Sequence, residues 1–239
     1  MDIRNRLLAS FGEAALAALS PHMREVALSV GRIISEPGEP VEQVYFPTSG
    51  VVSIVTLLHD GRRVESLTVG REGAVGLLPA FGDPVWAARG LIQIAGGALR
   101  IEAGPLRAAS RAHPGILDVV IRYAQVTEAQ LHQSAACNAL HAIEARLCRW
   151  LLTCEDRVGD NVLPLTHEFL GMMLGVQRTR VTTAAQALQR QGMIEYRRGL
   201  ITVRDRAAME RASCECYRTT EAIYERVFPN GNGLSLAAG

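Results

Sequence analysis

The chain has 239 residues, 48% hydrophobic and 21% charged, enough to bury a core and too long for one small module. Every one of its 25 basic side chains is Arg, which excludes a lysine-dependent phosphate loop, a Schiff-base lysine and a pyridoxal-phosphate lysine. A formal charge of +1 gives no global pull toward nucleic acid or membrane, so any such attraction has to be local.

Residues 2–20 predict a helix, with Leu7, Leu8, Phe11, Leu16 and Leu19 near a helical period and Ser20-Pro21 as its stop. From about 25 to 103, short β-branched runs alternate with Gly and Pro: VALSVGRII, QVYFP, GVVSIVTLL, RRVESLTVG, LIQIAG and ALRIEAG. This spacing predicts an all-β barrel or sandwich, and Asp60-Gly61 a hairpin turn. His59 beside that turn reads as a polar turn residue. Past Gly104-Pro105 the texture is helical, with a short helix over Leu106–Ala112 ended by His113-Pro114-Gly115.

A long helix follows from Ile116 to about Ser134. Its stripe of Ile116, Val119, Val120, Tyr123, Val126, Thr127, Gln130 and Leu131 repeats at about 3.5 residues. Such a stripe packs either on its own barrel or on a twin helix. The coiled-coil pattern favours the twin, with Ile116, Val120, Tyr123 and Thr127 at the seam and Gln130 setting register. A second run, Cys137–Asp156, places Leu140, Ile143, Leu147, Trp150 and Leu151 on one face, the expected core of a following domain. The tail, Pro229–Gly239, is rich in Gly, Asn and Ala and is expected to be disordered.

The five cysteines are Cys137, Cys148, Cys154, Cys214 and Cys216. They contain no CxxC pair and match no zinc or iron–sulfur spacing, so no metal and no cofactor is evident. Cys214 and Cys216, flanking Glu215 on the last helix, read as packing against the winged helix, with a redox or metal role as the alternative. The odd cysteine count, and an N-terminus without a signal-peptide apolar segment, point to reduced thiols in a soluble cytoplasmic protein. No apolar run approaches the ~18–20 residues that span a bilayer, so no membrane partner is expected.

The informative stretch is LTHEFLGMMLGVQRTRVTTAAQALQRQGMIEYRRGLITV, residues 165–203. Thr166 is a good N-cap, and Glu168 suits the first turn of the helix beginning at His167. Leu170 and Leu174 are its buried positions, Gly171 is small where a second helix crosses, and Gly175 suits a tight turn. A second helix over about Gln177–Gln191 buries Val181, Ala184, Ala185 and Leu188 and is closed by Gly192. Two helices about such a turn make a helix-turn-helix. Ile194–Arg197 and Leu200–Val203 around Arg198-Gly199 then predict a hairpin wing. The exposed face of the second helix reads Gln177, Arg178, Thr179, Arg180, Thr182, Thr183 and Gln186. Arg suits guanine, Gln adenine, and Thr a thymine methyl or a phosphate. Residues 160–211 hold eight Arg against five acids, so positive charge is concentrated where the chain as a whole is near neutral.

With these residues the sequence resembles the Crp/Fnr superfamily of bacterial transcription regulators over about residues 5–225. The likeness rests on YFPTSG, GREGAVG, the long helix, LTHEFLGMMLGV–QRTRV and the wing. The resemblance implies an α+β chain: an N-terminal jelly-roll-like β-roll sensor (1–114), a dimerisation helix (115–136), a winged helix-turn-helix (137–228) and a tail (229–239). It also implies a homodimer on near-palindromic double-stranded DNA, with RNA polymerase as a further partner of an activator. Matched residue by residue, Arg178, Thr179 and Thr183 fall where the family reads bases, with Arg180 a further candidate. Thr166 and Gln177 fall at phosphate contacts, and Arg197 and Arg198 lie on the wing.

Cyclic-AMP-binding members carry a Gly-Glu pair for the ribose and an Arg-Ser pair for the phosphate. Here Val75 stands near the Glu position and Trp86-Ala87 near the Arg-Ser position, with Arg89 displaced, so the usual cyclic-AMP pocket is not expected. Arg71, Glu72, Val75, Trp86 and Arg89 are the candidates for a differently built effector pocket, and the effector is unknown. No catalytic triad, metal spacing or phosphate loop suggests an enzyme. The competing expectation is an effector-binding or protein-interaction module whose winged helix no longer binds DNA.

Overall fold

The computed structural model describes residues 4–229. The expected N-terminal helix is two short ones, α1 (Arg6–Ala9) and α2 (Glu13–Leu19), because the backbone leaves the helical region at Gly12. Asn5, fully buried, anchors them. Its Oδ1 accepts from the Leu8 N–H at 2.8 Å, and its Nδ2 donates to the carbonyls of Pro47 (2.9 Å) and Gly73 (2.8 Å). A satisfied buried amide of this kind fixes the helix against the end of a strand at Pro47 and the loop at Gly73 at once.

Seven strands then occupy the β-branched runs: β1 (Arg24–Leu28), β2 (Ile33–Ser35), β3 (Gln43–Pro47), β4 (Val51–Leu57), β5 (Arg63–Val69), β6 (Arg89–Ile94) and β7 (Gly96–Glu102). The run VALSVGRII splits into two strands. They form two sheets, ordered β1-β7-β3 and β2-β6-β4-β5, the β-roll. A short helix, α3 (Leu77–Phe81), interrupts the strands between β5 and β6; no sequence signal marked it. The core combines Leu7, Leu8, Phe46, Leu99 and Ile101 with Leu106 of α4 (Ala103–Ala112). Phe11 meets Phe46 edge to face at 5.9 Å.

The long helix α5 spans Gly115–Leu140, further than expected, and α6 (Ile143–Val158) follows a break at His141-Ala142. Cys137 therefore belongs to α5, and Leu140, expected in a core face, is 80% exposed. The seam assigned to a twin helix is also corrected. Ile116, Val120, Tyr123 and Thr127 are buried in their own chain, and Gln130 is half-buried. Tyr123 shows the reason: its hydroxyl donates to the Ala74 carbonyl and accepts from the Ala74 N–H, both at 3.1 Å. The exposed stripe of α5 runs instead through Leu117, Ile121, Glu128, Leu131 and Ala135, with half-buried Ala124 in line, again at alternating steps of four and three.

The C-terminal elements are β8 (Val162–Pro164), α7 (His167–Leu174), α8 (Arg178–Arg190), β9 (Ile194–Arg197), β10 (Leu200–Val203), α9 (Arg206–Ala212) and α10 (Cys216–Val227). The chain divides into two compact units. Among the described residues, one takes 4–54, 68–128 and 223–229; the other takes 55–67 and 129–222. The tip of the β4–β5 hairpin thus belongs with the C-terminal elements, where Trp150 Nε1 donates to Glu65 Oε1 at 2.8 Å. No helix among the described residues is long and apolar enough to cross a membrane. The tail from 230 lies outside the described residues.

Candidate nucleic-acid interface

The expected helix-turn-helix forms at α7 and α8. Thr166 caps α7 by accepting from the Phe169 N–H at 3.2 Å. Gly175, at φ +64, ends α7 in the left-handed region that a side chain rarely adopts. A Cβ at Gly171 would lie 2.9 Å from the Val176 carbonyl oxygen, so glycine is what lets the turn close against α7. Leu170, Leu174, Val181, Ala184, Ala185 and Leu188 are all buried, as their spacing required.

From below, α6 supports this pair. Arg146, 7% exposed, donates to Asn138 Oδ1 at 2.7 Å and to the Leu174 carbonyl at the open end of α7. Arg206 fastens α9: it reaches Glu155 (2.8 Å), Asp156 (2.7 Å), Glu210 (3.0 Å) and the Tyr217 hydroxyl (2.7 Å). Arg204 pairs with Glu195. Two of the eight arginines counted in sequence are therefore structural.

Of the other six, Arg211 is exposed on α9, and five carry the surface charge of α8 and the wing. Arg178 and Arg180 in the first turn of α8, Arg190 in its last turn, and Arg197 and Arg198 on the wing are exposed, with no carboxylate partner among the described residues. Thr179, Thr183, Gln177 and Gln186 are exposed beside them. Gln177 caps α8 without a side-chain hydrogen bond, leaving first-turn N–H groups to an outside acceptor. Thr182, expected on this face, is half-buried and engaged. It donates to the Arg178 carbonyl at 3.0 Å and meets His167 Nδ1 at 3.0 Å.

His167 was not singled out in sequence, yet it joins three elements. It starts α7, bonds Thr182 of α8, and stacks on Tyr196 of β9 with ring centroids 4.0 Å apart. Because Thr182 gives its hydrogen to a carbonyl, it accepts from His167, which places a proton on Nδ1. Burial, and then the Arg178 guanidinium, hold the His167 pKa below its usual range. The wing is β9 and β10, paired Leu200 to Arg197 and Val203 to Ile194, with β8 added on the other side of β10. Its Arg198-Gly199 turn has positive φ at both residues, as a tight hairpin requires. β8 was missed because three residues ending in Pro give no strand period.

The five candidate effector residues all lie in the β-roll unit, with the following contacts. Glu72 Oε1 accepts from the Gly70 N–H at 3.0 Å, and the Arg71 carbonyl accepts from the Arg6 N–H at 2.7 Å. Val75 is buried and bridges Tyr45 through the backbone. Trp86 lies over Gly76, and Arg89 pairs with Glu36 at 2.8 Å.

Another constellation went unseen in sequence. Cys137, His141, Cys214 and Cys216 bring their ligand atoms within 4.8 Å of one another. Cys214 precedes α10 rather than lying on it. The linear spacing gave no hint, because His141 and Cys214 stand 73 positions apart. The hydrogen bond from Cys214 is the main cause that holds the Cys137 thiol down to about 4, with Arg149 assisting, against the opposing effect of burial.

Fold and interface together define a class: a β-roll chain that carries a winged helix-turn-helix. Residues 145–212 match the Crp-like helix-turn-helix domain family. A search among curated proteins finds no match. Among solved structures the chain is similar to FixK2 from Bradyrhizobium japonicum, at 19% identity and a TM-score of 0.69, covering 80% of this chain and 98% of that one. It is similar to TTHB099, a CRP-family transcriptional regulator from Thermus thermophilus, at 22% identity and 0.65, covering 79% and 96%. It is also similar to CLP, a c-di-GMP-responsive global regulator of Xanthomonas campestris, at 17% and 0.65, covering 80% and 99%. Residues 145–212 thus carry a Crp-like helix-turn-helix domain, and the chain shares the fold of these solved regulators.

Proposed function

We propose that the protein is a sequence-specific regulator that binds near-palindromic DNA as a homodimer, with α8 in the major groove and the wing on the backbone. The observation that carries this reading is the set of five exposed arginines without carboxylate partners, spread over α8 and the wing. Arg178, Thr179, Arg180 and Thr183 read base edges. Thr166, Gln177, Arg197 and Arg198 hold phosphates. The exposed stripe of α5, with Leu117 at 45%, Ile121 at 52% and Leu131 at 39% exposure, is the face that pairs two chains. Such a dimer sets two recognition helices roughly 34 Å apart, one turn of DNA.

The β-roll acts as the sensor, for an effector other than cyclic AMP held in the usual way. A cyclic phosphate drawn to Arg89 would have to break the Arg89–Glu36 pair. Selection from a random duplex pool tests the reading. A two-fold symmetric site with half-site centres one helical turn apart is expected; recovery of no sequence above background contradicts it.

A further inference from the structure

We propose that Cys137, His141, Cys214 and Cys216 bind one zinc ion in a closed structural site. The site joins the end of α5 to the junction of α9 and α10. It is independent of the DNA-binding reading above.

Three observations carry it. The first is spacing. The Cys137 and Cys214 sulfurs are 3.6 Å apart, and Cys216 Sγ lies 3.4 Å from His141 Nδ1. A tetrahedral zinc with Zn–S of about 2.3 Å and Zn–N of about 2.0 Å has ligand–ligand edges of roughly 3.5–3.8 Å. All four ligand atoms lie within 4.8 Å of one another, which encloses one ion. An iron–sulfur cluster would spread its thiolates over several metal atoms and needs a wider cage.

The second is burial. Cys137 and Cys216 are fully buried and Cys214 is 7% exposed, yet all three are free thiols. They form a sulfur cluster of their own with Ala145 packed against it, separate from the aliphatic core.

The third is the surrounding shell. His141 Nε2 stands 3.3 Å from Glu215 Oε1, which orients the ring and frees Nδ1 for a metal. Gln133 Nε2 donates to Cys216 Sγ at 2.9 Å, a contact suited to a thiolate. Four protein ligands leave no open position, so the ion has a structural and not a catalytic role. Binding releases the thiol protons and adds its free energy to folding.

The full chain, made without a polyhistidine tag in zinc-supplemented medium and purified in reductant, tests this by elemental analysis. About one zinc per chain is expected. Iron with acid-labile sulfide, or no bound metal, overturns the proposal. Cobalt(II) in place of zinc should give thiolate charge-transfer absorbance and tetrahedral ligand-field bands; an octahedral spectrum contradicts it. Cys214→Ser should lose the ion, whereas Cys154→Ala, a buried thiol outside the group, should keep it. Full zinc retention by Cys214→Ser overturns the assignment. Should that variant fail to fold, the wild-type chain serves: chelation should lower its melting temperature and added zinc restore it. An unchanged melting temperature after verified metal removal contradicts the structural role.

Discussion

Arg178 shows how one side chain divides stability from recognition. It is exposed and unpaired by carboxylate, so Arg178→Ala should change folding stability by less than about 0.5 kcal/mol. Binding to the selected site should weaken by roughly 1–3 kcal/mol, with preference relaxed at one base position. Arg146 is the opposite case. Its guanidinium is buried on the Leu174 carbonyl and Asn138, so Arg146→Ala should cost about 2–3 kcal/mol in urea unfolding. His167 adds a pH dependence. Its folded pKa lies below the ordinary 6.5, so the unfolded chain takes up the proton first. Its contribution to stability is complete above the ordinary value and is lost as pH falls toward the lowered folded value. Unfolding curves of wild type and His167→Gln, compared on either side of about pH 6.5, should converge on acidification. A gap that widens on acidification contradicts this. Sequence showed Arg178 and Gly175 plainly, since turn and helix chemistry are local. It did not show His167 or Arg146, whose partners lie 15 and 28 residues away.

At the scale of elements, the turn between α7 and α8 is the least forgiving part. A side chain at Gly171 meets backbone, which cannot yield as a flexible side chain does. Gly171→Val should destabilise the protein by roughly 1–3 kcal/mol and abolish DNA binding, measured by thermal melting and gel shift. Gly104→Ala, within α4 and facing open space, should be neutral or mildly stabilising. Strands β3 to β7 lay close to their β-branched runs because period and turn residues agree there. The face of α5 was misassigned for a physical reason: the helix carries two apolar stripes, and periodicity cannot tell which one its own β-roll covers. Tyr123, with its hydroxyl on Ala74, belongs to the inner stripe, and Ile121 to the outer.

For the whole molecule, that distinction makes dimerisation testable. Ile121→Asp should yield a folded monomer by sedimentation, because it places charge in an exposed apolar seam. Tyr123→Ala should instead cost about 3 kcal/mol of stability, because it empties a core site. The near-neutral net charge hid the basic surface, since it averages five exposed arginines with acids elsewhere on the chain. The central claim is that these arginines grip duplex DNA. The most direct measurement is fluorescence anisotropy of the selected duplex against salt concentration, for wild type and for Arg197→Ala/Arg198→Ala. Binding should fall steeply and linearly on a log–log plot, and the slope should shrink by about one for each arginine–phosphate contact removed. A slope that is flat, or that does not change when the wing arginines are removed, contradicts the account.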